Sequence, residues 1–141
     1  MRIRVWVDSW QMQCCGDPIR SGDTVAWTLE AEPDIGWLTS VAGEKLANSI
    51  DYHEEHHGGL PDDAPITRGD VTGIFHVRCA YTEQPDGTGT MLVPVPGSAE
   101  VTEVRYADGW ADGAGDREFM GYVVDLEVDE RPPHTLRDPQ Y

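Results

Sequence analysis

Lysine is almost absent from this 141-residue chain: Lys45 stands alone against nine arginines. Asparagine occurs once, as Asn48, and phenylalanine twice, as Phe75 and Phe119. Cations are scarce altogether, 10 Lys+Arg against 26 Asp+Glu, for a formal net charge of −16. That shortage excludes a surface that tracks nucleic-acid phosphates and any attraction to anionic membranes. No apolar run approaches the roughly 20 residues of a spanning helix. Residues Met1 to Asp8 show neither a long apolar segment nor a small-residue cleavage pattern, so a cytoplasmic location is expected. No G-x-S-x-G, P-loop or dinucleotide fingerprint occurs, which removes the commonest nucleophilic and nucleotide-binding grammars. Three cysteines, Cys14, Cys15 and Cys79, make a poor disulfide framework, being odd in number with two adjacent. Reduced thiols are expected, with a redox-sensitive bond between the neighbours Cys14 and Cys15 as the alternative.

Hydrophobic residues make up 39% of the chain, with five Trp and five Tyr, enough for one packed domain. The reading places that domain at residues 1–130, followed by a proline-rich tail at 131–141 that drapes over it. Ile3, Val5 and Val7 alternate with Arg4, Trp6 and Asp8, the pattern of a half-buried strand. Trp10, Met12 and Cys14 extend the alternation until Gly16-Asp17-Pro18 ends it. Residues 23–30 repeat the pattern with Val25, Trp27 and Leu29. Val71, Phe75, Val77, Cys79 and Tyr81 share one strand face, with Gly73 as a bulge or close approach. Cys79 is then a small buried hydrophobe. Short strands follow at 91–95 and 100–106, and loops at 84–90 and 108–116. In residues 119–129, Tyr122, Val124, Leu126 and Val128 point inward while Val123, Asp125, Glu127 and Asp129 point out.

One stretch has a different period. Leu38, Ala42, Leu46, Ile50, His53 and His57 fall on one helical stripe, which predicts a helix near residues 38–57 stopped by Gly58-Gly59. The whole is expected to be mainly β (α+β), a six- or seven-stranded small barrel or sandwich of SH3-like or OB-like type with one helix. Pro18-Ile19-Arg20-Ser21-Gly22-Asp23 recurs 47 residues later as Pro65-Ile66-Thr67-Arg68-Gly69-Asp70. Shared turn chemistry explains that echo more economically than duplication.

His53-Glu54-Glu55-His56-His57 matches H-E-x-x-H. On a helix, His53 and His57 share a face that can bind Zn²⁺, with Glu54 as general base and Asp63 at the place of a third ligand. Small metzincin-type proteases resemble this arrangement, but the template's glycine falls on Leu60 and no Met-turn follows. A mixed zinc site of Cys14, Cys15, His56 and His57 is a second metal reading, although adjacent pairs rarely converge tetrahedrally. Carboxylates are too abundant for any pair to single itself out, and most belong to solvated faces. Trp6, Trp10 and Trp110, beside acidic residues, read as exposed anchors for a protein partner. An acidic nucleic-acid mimic is also compatible with the charge.

Trp10-Gln11-Met12-Gln13-Cys14-Cys15-Gly16-Asp17-Pro18, running on to Gly22-Asp23-Thr24-Val25-Ala26-Trp27, is the most distinctive stretch. With Glu55-His56-His57-Gly58 and Thr67-Arg68-Gly69 it resembles a family of small actinobacterial proteins with a W-Q-M-x-C-C-G-x-P motif, a domain of unknown function. The excess of Arg over Lys agrees with such a source. The resemblance brings no activity to transfer. It directs attention to Trp10, Met12, Cys14 and Cys15 and to His56 and His57, as a surface for a protein or small ligand if the two segments meet. The expectation is a non-enzymatic cytoplasmic binding module without cofactor. A zinc site or metal-dependent hydrolase is the first alternative and the acidic mimic the second.

Overall fold

The alternating opening forms β1 (Arg2–Asp8), with Ile3, Val5 and Val7 buried on one face. The computed structural model describes residues 1–55, 60–83, 92–110 and 117–136. After β1 come α1 (Ser9–Cys15), β2 (Ile19–Arg20), β3 (Thr24–Ala31), α2 (Ile35–Ala42), α3 (Glu44–Asn48) and β4 (Tyr52–Glu54). The second half contributes β5 (Ile66–Glu83), β6 (Leu92–Pro94), β7 (Glu100–Val104), β8 (Tyr106–Ala107) and β9 (Arg117–Glu127). The loop expected at 84–90, and most of that at 108–116, lie outside the described residues.

Seven strands make one mixed sheet in the order β3-β4-β1-β9-β5-β6, with β7 also on β5. Thr24 to Thr28 of β3 pair in addition with Asp70 to Ile66 of β5, which closes β3, β4, β1, β9 and β5 into a ring. The long β5 makes closure possible. From Asp70 to Ala80 one of its edges lies along β9, while the other takes β3, β7 and β6 in turn. The β1–β4 pairing, Val5 opposite Tyr52 and Trp6 opposite His53, is parallel. The fold is thus mainly β and partly closed, a small barrel, with closure hiding edges that an open sheet would expose.

Two cores occupy the two faces of this sheet. Inside the ring lie Val5, Val7, Leu29, Tyr52, Ile74, Val124 and Leu126. On the outer face α2 and α3 cover Trp6, Val77, Cys79 and Val123 with Leu38, Val41 and Ala47. The outward placement expected for Trp6, Val123 and Asp125 is therefore corrected: each is buried beneath the helical layer or beside it. Asp125 is matched there by Arg4, whose Nε and Nη2 donate to its two carboxylate oxygens at 2.8 and 3.2 Å.

The expected irregularity at Gly73 is present. Val71 pairs with Leu126 and Gly73 with Asp125, leaving Thr72 as the extra residue of a bulge. The insertion inverts the strand's parity. Val71 and Ile74 enter the barrel, whereas Phe75, Val77 and Cys79 face the helices, so Val71 does not share their face as the alternation predicts.

The helical layer departs most from the sequence reading. The one helix expected at 38–57 is two short helices, separated at Gly43, whose φ of 89° favours glycine. Helical structure ends at Asn48, and Tyr52–Glu54 is a strand whose backbone is satisfied between β1 and β3. Conversely, the alternation of Trp10, Met12 and Cys14 is not a strand but α1. The sequence echo also divides: Ser21-Gly22 turns, with Gly22 at φ 97°, while Ile66 to Asp70 is already β5, so a shared turn does not explain it. Residues 131–136 run against β3 and β4. The Ala31 N–H donates to the Thr135 carbonyl at 2.6 Å, and the Tyr52 hydroxyl to that of Pro132 at 3.4 Å. Among the described residues, no helix is long and apolar enough to cross a membrane.

Candidate functional site

Strand register brings three polar side chains together on the outer face of the barrel. His53 of β4 lies opposite Trp6 of β1 on one side and opposite Glu30 of β3 on the other. Asp8, two residues beyond Trp6, shares its face because strand side chains alternate with a period of two. The His53 Nε2–H donates to Asp8 Oδ2 at 2.7 Å, and His53 Nδ1 lies 3.7 Å from Glu30 Oε2. Asp8 Oδ1 accepts the Trp6 indole N–H at 2.8 Å, so a buried tryptophan and a histidine hold the carboxylate from both sides.

The loop after β3 and the start of α2 build the opposite wall. Asp34 caps α2 by accepting the Trp37 N–H at 3.0 Å, which sets the first helical turn and points Trp37 back over the sheet. The Trp37 ring meets Trp6 edge to face, with centroids 5.7 Å apart at 75°. Glu32 sits in the intervening loop with φ 57°, a left-handed backbone that costs a non-glycine residue about 1 kcal/mol or more. These groups enclose an open cavity of about 450 Å³, lined by Trp6, Trp37 and Leu38, by Asp8, Glu30, Glu32 and Asp34, and by His53.

Four carboxylates and one imidazole thus share an aromatic-walled recess. Burial works against a charge on His53. Its hydrogen bond to Asp8 and the nearby charges of Asp8, Glu30 and Glu55 outweigh burial, and its pKa rises above the ordinary imidazole value. The recess suits a cation carrying several N–H donors and a flat or apolar body. Among the described residues, no group of three or more His, Cys, Asp or Glu side chains is arranged to hold a metal ion.

His53 belongs to this recess, though not for the reason that singled it out. In β4 it and Glu54 point to opposite faces, so the described half of H-E-x-x-H lacks the helix that the zinc motif requires. Asp63 is exposed in a turn, while His56 and His57 lie outside the described residues. On α1, Trp10 is 49% exposed, whereas Met12 is buried at 4% in the barrel core. Cys14 is exposed and disulfide-bonded, which corrects the expectation of reduced thiols; Cys15 closes α1, and its side chain lies outside what is described. Cys79 is the buried free thiol expected, its pKa pushed up by burial and by Glu118. The Trp-Met-Cys segment and the chain just before His56 do meet: Gln11 Nε2 donates to Glu55 Oε2 at 3.1 Å in a buried contact.

Sequence reasoning missed Trp37, Glu30, Glu32 and Asp34. Asp34 three residues before Trp37 is a helix-capping signal, but nothing local tells that the cap faces Asp8 across the fold. No curated protein and no solved structure matches the chain. A family of unknown function, DUF6578, matches residues 1–128, nearly the whole length, and the chain belongs to that family.

Proposed function

We propose that this protein is a non-enzymatic binding module whose recess beneath α2 captures an organic cation, a guanidinium group above all. One observation carries the reading: the Trp37 ring and four carboxylates line a single cavity whose one basic side chain among the described residues, His53, is already engaged by Asp8. A guanidinium is planar, stacks on an indole, and presents a rigid fork of donors to carboxylates. Stacking on tryptophan contributes about 0.5–2 kcal/mol, and charge-assisted hydrogen bonds are roughly twice as strong as neutral ones. The strained backbone at Glu32 supports the reading, since such strain is concentrated at ligand-contacting positions. The charge of −16 adds long-range attraction for a cationic small molecule or an arginine-bearing protein segment.

Calorimetric titration with arginine amide and with citrulline amide, both acetylated at the α-amine so that the second is a neutral counterpart of the same shape, tests the proposal. Arginine amide is expected to bind at least about tenfold more tightly, with affinity falling as salt rises and in Trp37→Ala and Glu30→Gln. Equal binding of the two amides would overturn the reading.

A further inference from the structure

The recess holds an imidazole between two of its carboxylates, and the two ring nitrogens are not equivalent. His53 Nε2–H donates to Asp8 Oδ2 at 2.7 Å, whereas Nδ1 lies 3.7 Å from Glu30 Oε2. The His53, Asp8 and Glu30 side chains are 18%, 14% and 14% exposed, so water and salt screen their charges weakly. A protonated imidazole donates from both nitrogens; a neutral one donates from one and accepts at the other. The Asp8 carboxylate accepts in either state, which keeps a proton on Nε2. The proton that His53 gains or loses on titration is therefore the one on Nδ1, the nitrogen nearer Glu30.

The groups whose charges act on this imidazole are acidic. Asp8 comes from β1, Glu30 from β3 and Glu55 from just beyond β4, while α2 contributes no charged side chain. Glu32 and Asp34 complete the acidic lining from the loop before α2. A second imidazole stands at the rim: His134, in the segment that runs against β3, lies 3.6 Å from Glu32 Oε1. That pair is exposed on both sides and interacts weakly, in contrast to the enclosed Asp8–His53–Glu30 group.

We propose that the recess exchanges a proton for its ligand: an entering guanidinium expels the Nδ1 proton of His53 to water, so capture strengthens as pH rises and acidification releases the ligand. This exchange rests on the reading of the recess as a guanidinium site and adds its regulation. Two cations beside the same carboxylates repel each other, and only one of them can give way. A guanidinium cannot be deprotonated in a protein, whereas an imidazole titrates near neutrality. Loss of the Nδ1 proton leaves Glu30 to the ligand and turns Nδ1 into an acceptor for a ligand N–H. The Nε2–H bond to Asp8 is kept, so the ring holds its place, and the cavity is open for the proton to leave. Without ligand, the acidic neighbours outweigh burial and raise the His53 pKa. A bound guanidinium offsets their charge and lowers it again. Affinity therefore climbs with pH while His53 titrates, by up to about tenfold per unit, and levels off above its ligand-free pKa.

The test is calorimetric titration with acetylated arginine amide in phosphate and in ACES at matched ionic strength, two buffers whose enthalpies of ionisation differ. At about pH 6.5, roughly half a proton or more is expected to be released per ligand bound. Affinity is expected to rise about fivefold or more between about pH 6 and about pH 8. His53→Gln is expected to abolish the release and flatten the pH dependence, and His134→Gln to keep both. Long-range proton–nitrogen NMR spectra of the imidazole read the same event in the unaltered chain, which keeps the test decisive if His53→Gln does not fold. The doubly protonated His53 ring is expected to become the neutral Nε2–H form as ligand is added. Binding without proton release, a ring whose protonation ignores the ligand, or release that persists in a folded His53→Gln protein overturns the exchange and leaves the guanidinium reading standing. Equal binding of the acetylated arginine and citrulline amides at every pH removes both together.

Discussion

Gly121 shows how tightly single residues constrain this barrel. It lies opposite Asp8 on one side of β9 and Val77 on the other. A methyl group there would sit 2.5 Å from the Val7 carbonyl oxygen and 2.7 Å from Trp6 Cζ2. Neither neighbour can yield: one is backbone in a central strand, and the other is a ring fixed by Asp8 and Trp37. Gly121→Ala is therefore expected to destabilise the protein by about 3 kcal/mol, read from urea denaturation, and an unchanged midpoint would refute the packing argument. The same Trp6 ring shows what is legible residue by residue. Alternation separates Trp6 correctly from Ile3, Val5 and Val7, but not whether its face meets solvent or a second core. That depends on α2, which arrives from another part of the chain and covers it.

Strands and helices carry the recess, and its pH response belongs to them. Asp8 faces His53 from β1 and Glu30 from β3, Glu55 adds its charge from just beyond β4, and α2 (IGWLTSVA) contributes no charged side chain. Because His53's pKa is raised on folding, its stabilisation is fully present below the unfolded value of about 6.5. It is lost as pH rises through the folded pKa. His53→Gln should therefore cost more stability at about pH 5.5 than at about pH 8.5, and a loss independent of pH would contradict the Asp8–His53–Glu30 arrangement. The residues 38–57 explain why the element level was only partly readable. Leu38, Ala42, Leu46 and Ile50 satisfy a helical period, but Gly43 breaks the helix and Tyr52–Glu54 finds strand partners far away in sequence. Periodicity records local preference; pairing between β1 and β3 overrides it.

For the molecule as a whole, the excess of acidic side chains acts through self-repulsion. Raising the salt from about 0.01 M to about 0.5 M shortens the Debye length several-fold, so the thermal midpoint is expected to rise. A midpoint that falls would show that ion pairs such as Arg4–Asp125 outweigh the repulsion. The mainly β character was determined by the sequence itself, through alternation in 2–8, 23–30 and 119–129 and the glycine bulge at 73. So was the burial of Cys79, because a run of alternating apolar residues places it on a core face whatever the partner. Tertiary structure alone decided the rest. It closed the ring by setting β3 on β5, converted the bulge into a change of face for Val71, and put His53 and Glu54 on opposite faces of the sheet. It also brought Asp8, Glu30, Asp34 and Trp37 to one recess from three separate segments. No local pattern encodes such a meeting, because the forces that create it, packing and charge between distant side chains, act only once the chain has folded.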